Sequence, residues 1–274
     1  MSNTLHFAGN EPFFDVPRTS VSTSHGQVQL PILYRKTRNV NAFFMVDTDK
    51  VQAVLKPSAG DDMQAACLWR GKAMVGLACY EYEDTSIGPY HEIGIAVPVV
   101  RRGVKPRLGH WLQALGDVDN PAREMGFHVL HLPVSTPAAC AAGREIWGLP
   151  KFITPMRYER SGPKVKVVLC DPDQPAKPDA AILTLSGELG VGMPGPSMSL
   201  VLYSQLQAHW LRTTVNVRGG VRLHAPGSVH VRVGLSQHPM ANTLGQLGLQ
   251  DARPFCLTDT SSFQSRLNQG QAMA

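Results

Sequence analysis

Long apolar runs are missing from this sequence. No stretch approaches the ~18 consecutive apolar residues of a membrane helix, so no helical span is expected. The N-terminal segment Met1 to His6 has no basic run leading into an apolar one, and no secretory signal is expected. The five cysteines (Cys67, Cys79, Cys140, Cys170, Cys256) are odd in number, far apart and never spaced C-x-x-C. That pattern excludes a disulfide framework and a zinc knuckle, and points to reduced thiols in the cytoplasm. H-E-x-x-H, G-x-S-x-G and a phosphate-cradling glycine loop are all lacking. No metal and no cofactor are therefore expected. Without βαβ alternation a dinucleotide-binding sheet is disfavoured, and there is no internal repeat. Only 17% of residues are charged, with a net charge of +5. The densest basic stretch, Arg101, Arg102, Lys105 and Arg107, has no interleaved aromatics and reads as a solvated loop. No nucleic-acid partner is expected.

The chain does contain 25 glycines, 21 prolines and 43% hydrophobic residues. In 274 residues this composition suits many short strands joined by tight turns around a real core. Residues 1–26 are polar and read as an irregular N-terminal arm, with one domain over 27–274. Strands are expected over Gln27–Tyr34, Ala73–Tyr82, Tyr90–Val100, Phe127–Leu132, Lys164–Cys170, Ala180–Leu189, Met198–Leu206, Trp210–Val217 and Ser228–Leu235. In the last, Val229, Val231 and Val233 share one face while His230 and Arg232 take the other. Asp47 is placed to cap a helix that buries Val51, Val54 and Leu55.

An interruption over 103–126 carries Trp111, Leu112, Leu115 and Val118 at helical spacing. Thr136-Pro137 reads as an N-cap followed by proline at the first helical position, and Gly148 and Pro150 stop that helix. Gly190–Pro196 reads as a loop, and short helices are expected over Met240–Leu247 and Ser261–Leu267. The fold class is α+β: mainly antiparallel β with a few short helices.

Two side chains stand out chemically. Lys151 follows the small-residue helix and sits among Trp147, Leu149, Pro150 and Phe152. Apolar surroundings would lower the pKa of its amine, and a neutral amine attacks carbonyls to form a Schiff base. The alternative is a surface lysine whose apolar neighbours point elsewhere. Glu92, at the start of a core strand, could shuttle a proton beside an amine, or could be an ordinary strand-end carboxylate in an ion pair. His91 and His128 could likewise serve chemistry, against the plainer reading of a lone strand histidine with a structural role.

These segments, taken in order, resemble the acetoacetate decarboxylase family. The residues that carry the resemblance are Tyr34-Arg35, Asp84-Thr85-Ser86, Tyr90-His91-Glu92, Pro137-Ala138, Gly143-Arg144-Glu145 and Pro150-Lys151. It runs from about residue 27 to about residue 268. The resemblance implies a β-barrel or cone with the Schiff-base lysine, Lys151, deep inside, and Glu92 beside it. It also implies a homo-oligomeric enzyme acting on a small keto acid. Decarboxylation is the family's reaction, and aldol, dehydration or cyclisation chemistry occurs within the superfamily. His91, Trp147, Phe152 and Gln27 are then expected around the pocket.

Three positions depart from the family pattern. Phe152 replaces a second lysine, Ala78 a second glutamate, and Gln27 an arginine associated with the substrate carboxylate. A barrel that has lost catalysis and binds a small apolar or acidic ligand is the competing expectation.

Overall fold

The computed structural model describes residues 12–69, 71–105 and 108–273. Seven strands, labelled here in chain order, close into a barrel: β1 (Ile32–Asp47), β2 (Lys72–Thr85), β3 (Tyr90–Arg101), β4 (Gly126–Val134), β5 (Leu200–Leu206), β6 (His209–Arg218) and β7 (Cys256–Leu267). Each pairs with its neighbour in sequence, and β7 pairs with both β6 and β1 to shut the ring. All these pairings are antiparallel except β4 with β5. Closure removes the two free edges that an open sheet of this length would carry.

Among the described residues four α-helices decorate the barrel: α1 (Thr48–Ala59), α2 (Leu108–Gln113), α3 (Pro137–Trp147) and α4 (Pro239–Gln246). A separate four-stranded sheet runs Met156–Ser161, Lys164–Leu169, Leu183–Glu188, His230–Val233. The largest apolar core lies outside the barrel wall. There Val75, Leu77, Ile93 and Ile95 pack with Val51 and Leu55 of α1, Met240 and Leu244 of α4, and Val167, Leu185 and Val231 of that sheet. Each such side chain, fully buried, contributes about 1.5–3 kcal/mol. The outer face of the barrel is thus its dry face, and the inner face is left for a cavity.

The second sheet is also cross-linked to the barrel by polar groups. Arg160 pairs with Asp259 of β7. Asp259 Oδ1 lies 2.6 Å from Nε2 of His224, whose Nδ1 lies 2.9 Å from the Gly190 carbonyl.

Several expectations are corrected here. Thr19–Thr23 is not irregular: it forms a hairpin with Gly26–Leu30, whose Val28 and Leu30 are buried. Ser261–Leu267 is strand, not helix, because both β1 and β6 offer it ladder partners and tertiary pairing overrides local preference. Gly192–Gly195 pairs with Val221–His224 rather than looping free. A Cβ on Gly192 would stand 2.4 Å from the His224 ring, so glycine lets the strands meet there. In the 103–126 segment the helix ends at Gln113. Leu112 and Leu115 face outward at 62% and 54% exposure, while Val118 is buried. Asp47 does occupy the N-cap of α1, but its carboxylate bonds Lys72 instead of the helix. In the basic stretch, Arg102 pairs with Asp61, and Arg107 lies outside the described residues.

Helix α4 docks partly through a histidine. His131 Nε2 on β4 lies 2.9 Å from Thr243 Oγ1. Burial, then the nearby His238, pushes His131 down to about 4. A group held below its ordinary value of 6.5 binds fewer protons folded than unfolded across that interval. Stability should therefore be level above pH 6.5 and fall as pH drops from 6.5 toward 4. Urea midpoints measured across this range should show the fall, and His131→Gln should make it shallower, the remainder coming from His91, His128 and His238, which burial also holds below their ordinary value. Parallel slopes in the two proteins would assign the acid sensitivity elsewhere.

Candidate active site

The path to the site begins at α3. Thr136, in extended conformation, accepts a hydrogen bond from the Ala139 N–H, and Pro137 takes the first helical position. The buried face consists of Ala139, Cys140, Ala141, Ala142 and Gly143, small enough for the helix to lie close on the barrel. Gly148 ends the helix at φ +64°, where a Cβ would stand 1.8 Å from the Gln205 carbonyl oxygen. The chain then turns along the edge of β4, and Lys151 pairs in parallel with Leu132.

Strand alternation sends Lys151 inward and Phe152 outward. The Lys151 stem crosses Gly143 so closely that a Cβ there would stand 2.3 Å from its Cδ and 2.4 Å from its Cε. The amine ends 2.6 Å from Glu92 Oε2. Both residues are 7% exposed. Glu92 Oε1 accepts a hydrogen bond from the Tyr82 hydroxyl at 3.3 Å. The Lys151 amine also lies 5.5 Å from the Tyr90 ring centre, and the Tyr90 and Tyr34 hydroxyls are 3.1 Å apart. Burial first, and the negative charge of Glu92 with it, pushes the phenols of Tyr34, Tyr82 and Tyr90 upward, so they stay protonated as donors.

Around this pair the barrel encloses a cavity of about 230 Å³. Its walls are mostly aromatic and aliphatic, including Phe43, Phe127, Leu132, Leu202, Val217 and Phe263. Neutral polar groups come chiefly from Asn39, Asn41, Thr258 and Thr260. Among the described residues, Lys151 and Glu92 are the cation and the anion of the lining. No cluster of three or more metal-ligating side chains occurs among the described residues.

The family model for acetoacetate decarboxylase (ADC) matches residues 15–175, more than half of the chain. The chain belongs to the acetoacetate decarboxylase family. Comparison with curated proteins returned no match. Among solved structures it is similar to acetoacetate decarboxylase from Legionella pneumophila, at 17% identity and a TM-score of 0.61, over 95% of this chain and 92% of that one. It is also similar to the enduracididine biosynthesis enzyme MppR complexed with pyruvate, at 10% identity and a TM-score of 0.61, over 94% and 99% of the two chains. An acetoacetate decarboxylase-like enzyme from Sphingomonas wittichii RW1 matches at 12% identity and a TM-score of 0.57, over 90% and 94%. At these identities the likeness establishes the acetoacetate decarboxylase fold.

Within that fold, the residues expected at the site divide cleanly. Lys151 and Glu92, 59 positions apart in sequence, are brought into contact inside the barrel. The four side chains expected to shape the pocket do not line it. His91 alternates with Glu92, so it points outward and packs against Tyr158, the ring centres 4.6 Å apart and the planes tilted by 44°. Phe152, outward by the same rule, packs against His238, the ring centres 4.4 Å apart and the planes tilted by 32°. Trp147 is buried behind the wall in the core around α3, its indole N–H donating to the Asn268 carbonyl at 3.0 Å. Gln27 is exposed on the hairpin and bonds Ser20 and Ser22. His128 is structural: it joins Ser58 to the Tyr203 carbonyl on the outer face.

The tyrosine cluster and the positional need for Gly143 escaped the sequence reading. Tyr80, Tyr82 and Tyr90 at even spacing on adjacent strands were the available signal for the cluster.

Proposed function

We propose that this protein is a Schiff-base-forming lyase acting on a keto acid through Lys151, in the manner of its family. The observation that carries the reading is the 2.6 Å contact between the Lys151 amine and Glu92 inside a largely apolar cavity. A neutral amine is needed for attack on a ketone, and Glu92 is positioned to hold the proton the amine gives up. Attack forms the C–N bond of a carbinolamine. Glu92 then returns a proton to the departing hydroxyl, water leaves, and an imine remains. The protonated imine accepts the electron pair of the breaking carbon–carbon bond, so that carbon dioxide leaves and an enamine forms. Protonation of the enamine carbon and hydrolysis release the product and restore Lys151. Tyr82, donating to the other oxygen of Glu92, fixes the carboxylate's orientation through the cycle.

The apolar walls support the chemistry in a second way. A substrate carboxylate held there without a counter-cation of its own is poorly solvated, and losing it as neutral carbon dioxide relieves that cost. The same walls favour one competing reading, a barrel that only binds a small ligand. Borohydride trapping separates the two. Incubation with acetoacetate, pyruvate and longer keto acids, followed by reduction, should add the mass of the reduced adduct to one peptide, at Lys151. Unmodified, folded protein at mildly alkaline pH would leave the binding barrel as the function.

A further inference from the structure

The cavity that holds Lys151 extends well past it. On the β2–β3 ladder, Glu92 faces Tyr80; the next two inward-facing pairs are Ala78 with Gly94 and Gly76 with Ala96. All four small residues line the cavity. From Glu92 to Ala96 the strand advances about 13 Å at ~3.3 Å per residue. Side chains of ordinary size there would fill the barrel, as they do in small barrels without ligands. Here Leu132 and Phe43 lean over the two glycines, a Cβ at Gly94 standing 3.1 Å from Leu132 Cδ1 and one at Gly76 3.7 Å from the Phe43 ring, and the cavity runs on beside them between Phe127, Val129 and Leu202. No further charged side chain lines it among the described residues. A fixed charge on a ligand along this stretch would be buried without a partner, at a cost no short-range contact offsets.

We propose that the substrate carries an uncharged, extended apolar group, alkyl or aromatic, that lies over Gly76, Ala78, Gly94 and Ala96 while its carbonyl meets Lys151. This deepens the Schiff-base reading: the attachment of the carbonyl rests on it, whereas the apolar tail rests on the cavity alone. Acetoacetate and pyruvate would be poor substrates because they leave this space empty.

The test uses the full chain and a homologous series of straight-chain methyl ketones. Calorimetry gives affinity, and borohydride trapping gives adduct at Lys151, as separate readouts. Affinity should rise roughly fourfold per added methylene until the barrel is filled, the fold-change that burying one methylene supplies. Ala96→Leu, far from the amine, should lower the ratio of long-chain to short-chain affinity. Ala78→Leu, one step from Glu92, should lower it from a shorter chain onward. Affinity that is flat or falls with chain length overturns the proposal, as does a rise that both variants leave unchanged. Rising affinity without any adduct keeps the apolar tail and removes the Schiff-base reading, so the two failures are distinguishable.

Discussion

Glu92→Leu should cost the fold about 3–5 kcal/mol and stop imine formation, whereas the double change Glu92→Leu with Lys151→Met should restore most of the stability and none of the chemistry. Both charges sit inside the barrel wall, with side chains 5% and 9% exposed and a 2.6 Å contact. Removing the carboxylate leaves the buried amine facing Tyr90, Tyr34 and apolar walls. Replacing both partners by apolar groups of similar volume removes the desolvation cost together with the attraction. Such exchanges of buried pairs are often neutral or stabilising by about 1–4 kcal/mol. Urea unfolding of the four proteins in the cycle yields the coupling directly. An unchanged midpoint in Glu92→Leu would mean that the pair contributes nothing to the fold. A double variant far less stable than the parent would mean that the pair, rather than chemistry, is what the site needs.

Gly143→Ala should act through the same pair, costing nearly all activity and most of the stability that a broken buried pair costs. Alanine in place of glycine favours a helix interior by about 1 kcal/mol. The added methyl would stand 2.3 Å from Lys151 Cδ, so the lysine stem has to move. That stem is flexible, but it lies buried along the barrel wall and cannot swing aside without carrying the amine away from its partner. The amine then leaves Glu92. A displacement of about 1 Å at a reacting group is worth on the order of 100-fold in rate. Borohydride trapping rates should drop by about that factor, and the unfolding free energy should fall by roughly 2–4 kcal/mol, the cost of the broken pair less the gain in helix propensity. Trapping at the parental rate would show that Lys151 does not need the groove that Gly143 provides.

Much of this molecule could be read locally. The Thr136-Pro137 start and Gly148 stop of α3 are backbone chemistry, and they fixed where Lys151 emerges. Alternation over Val229, Val231 and Val233 placed their buried face correctly. Order in sequence also sufficed for the family resemblance, since Gly143-Arg144-Glu145 and Pro150-Lys151 keep their spacing. What could not be read was which face of each strand looks into the cavity. An ordinary half-buried strand shows one apolar face and one wet one, and the pattern identifies them. In this barrel both faces are buried, the outer by α1, α4 and the second sheet, and the inner by the opposite wall. His91, Trp147 and Phe152 are therefore as sheltered as pocket residues yet lie behind the wall.

The sequence by itself determined the family, the emerging lysine and the strand that carries Glu92. Only ring closure, with β7 joining β6 to β1, decided that Lys151 and Glu92 share one cavity and that Gly76, Ala78, Gly94 and Ala96 line it with them. The physical reason is that alternation is a property of one strand, whereas inside and outside are properties of the closed sheet.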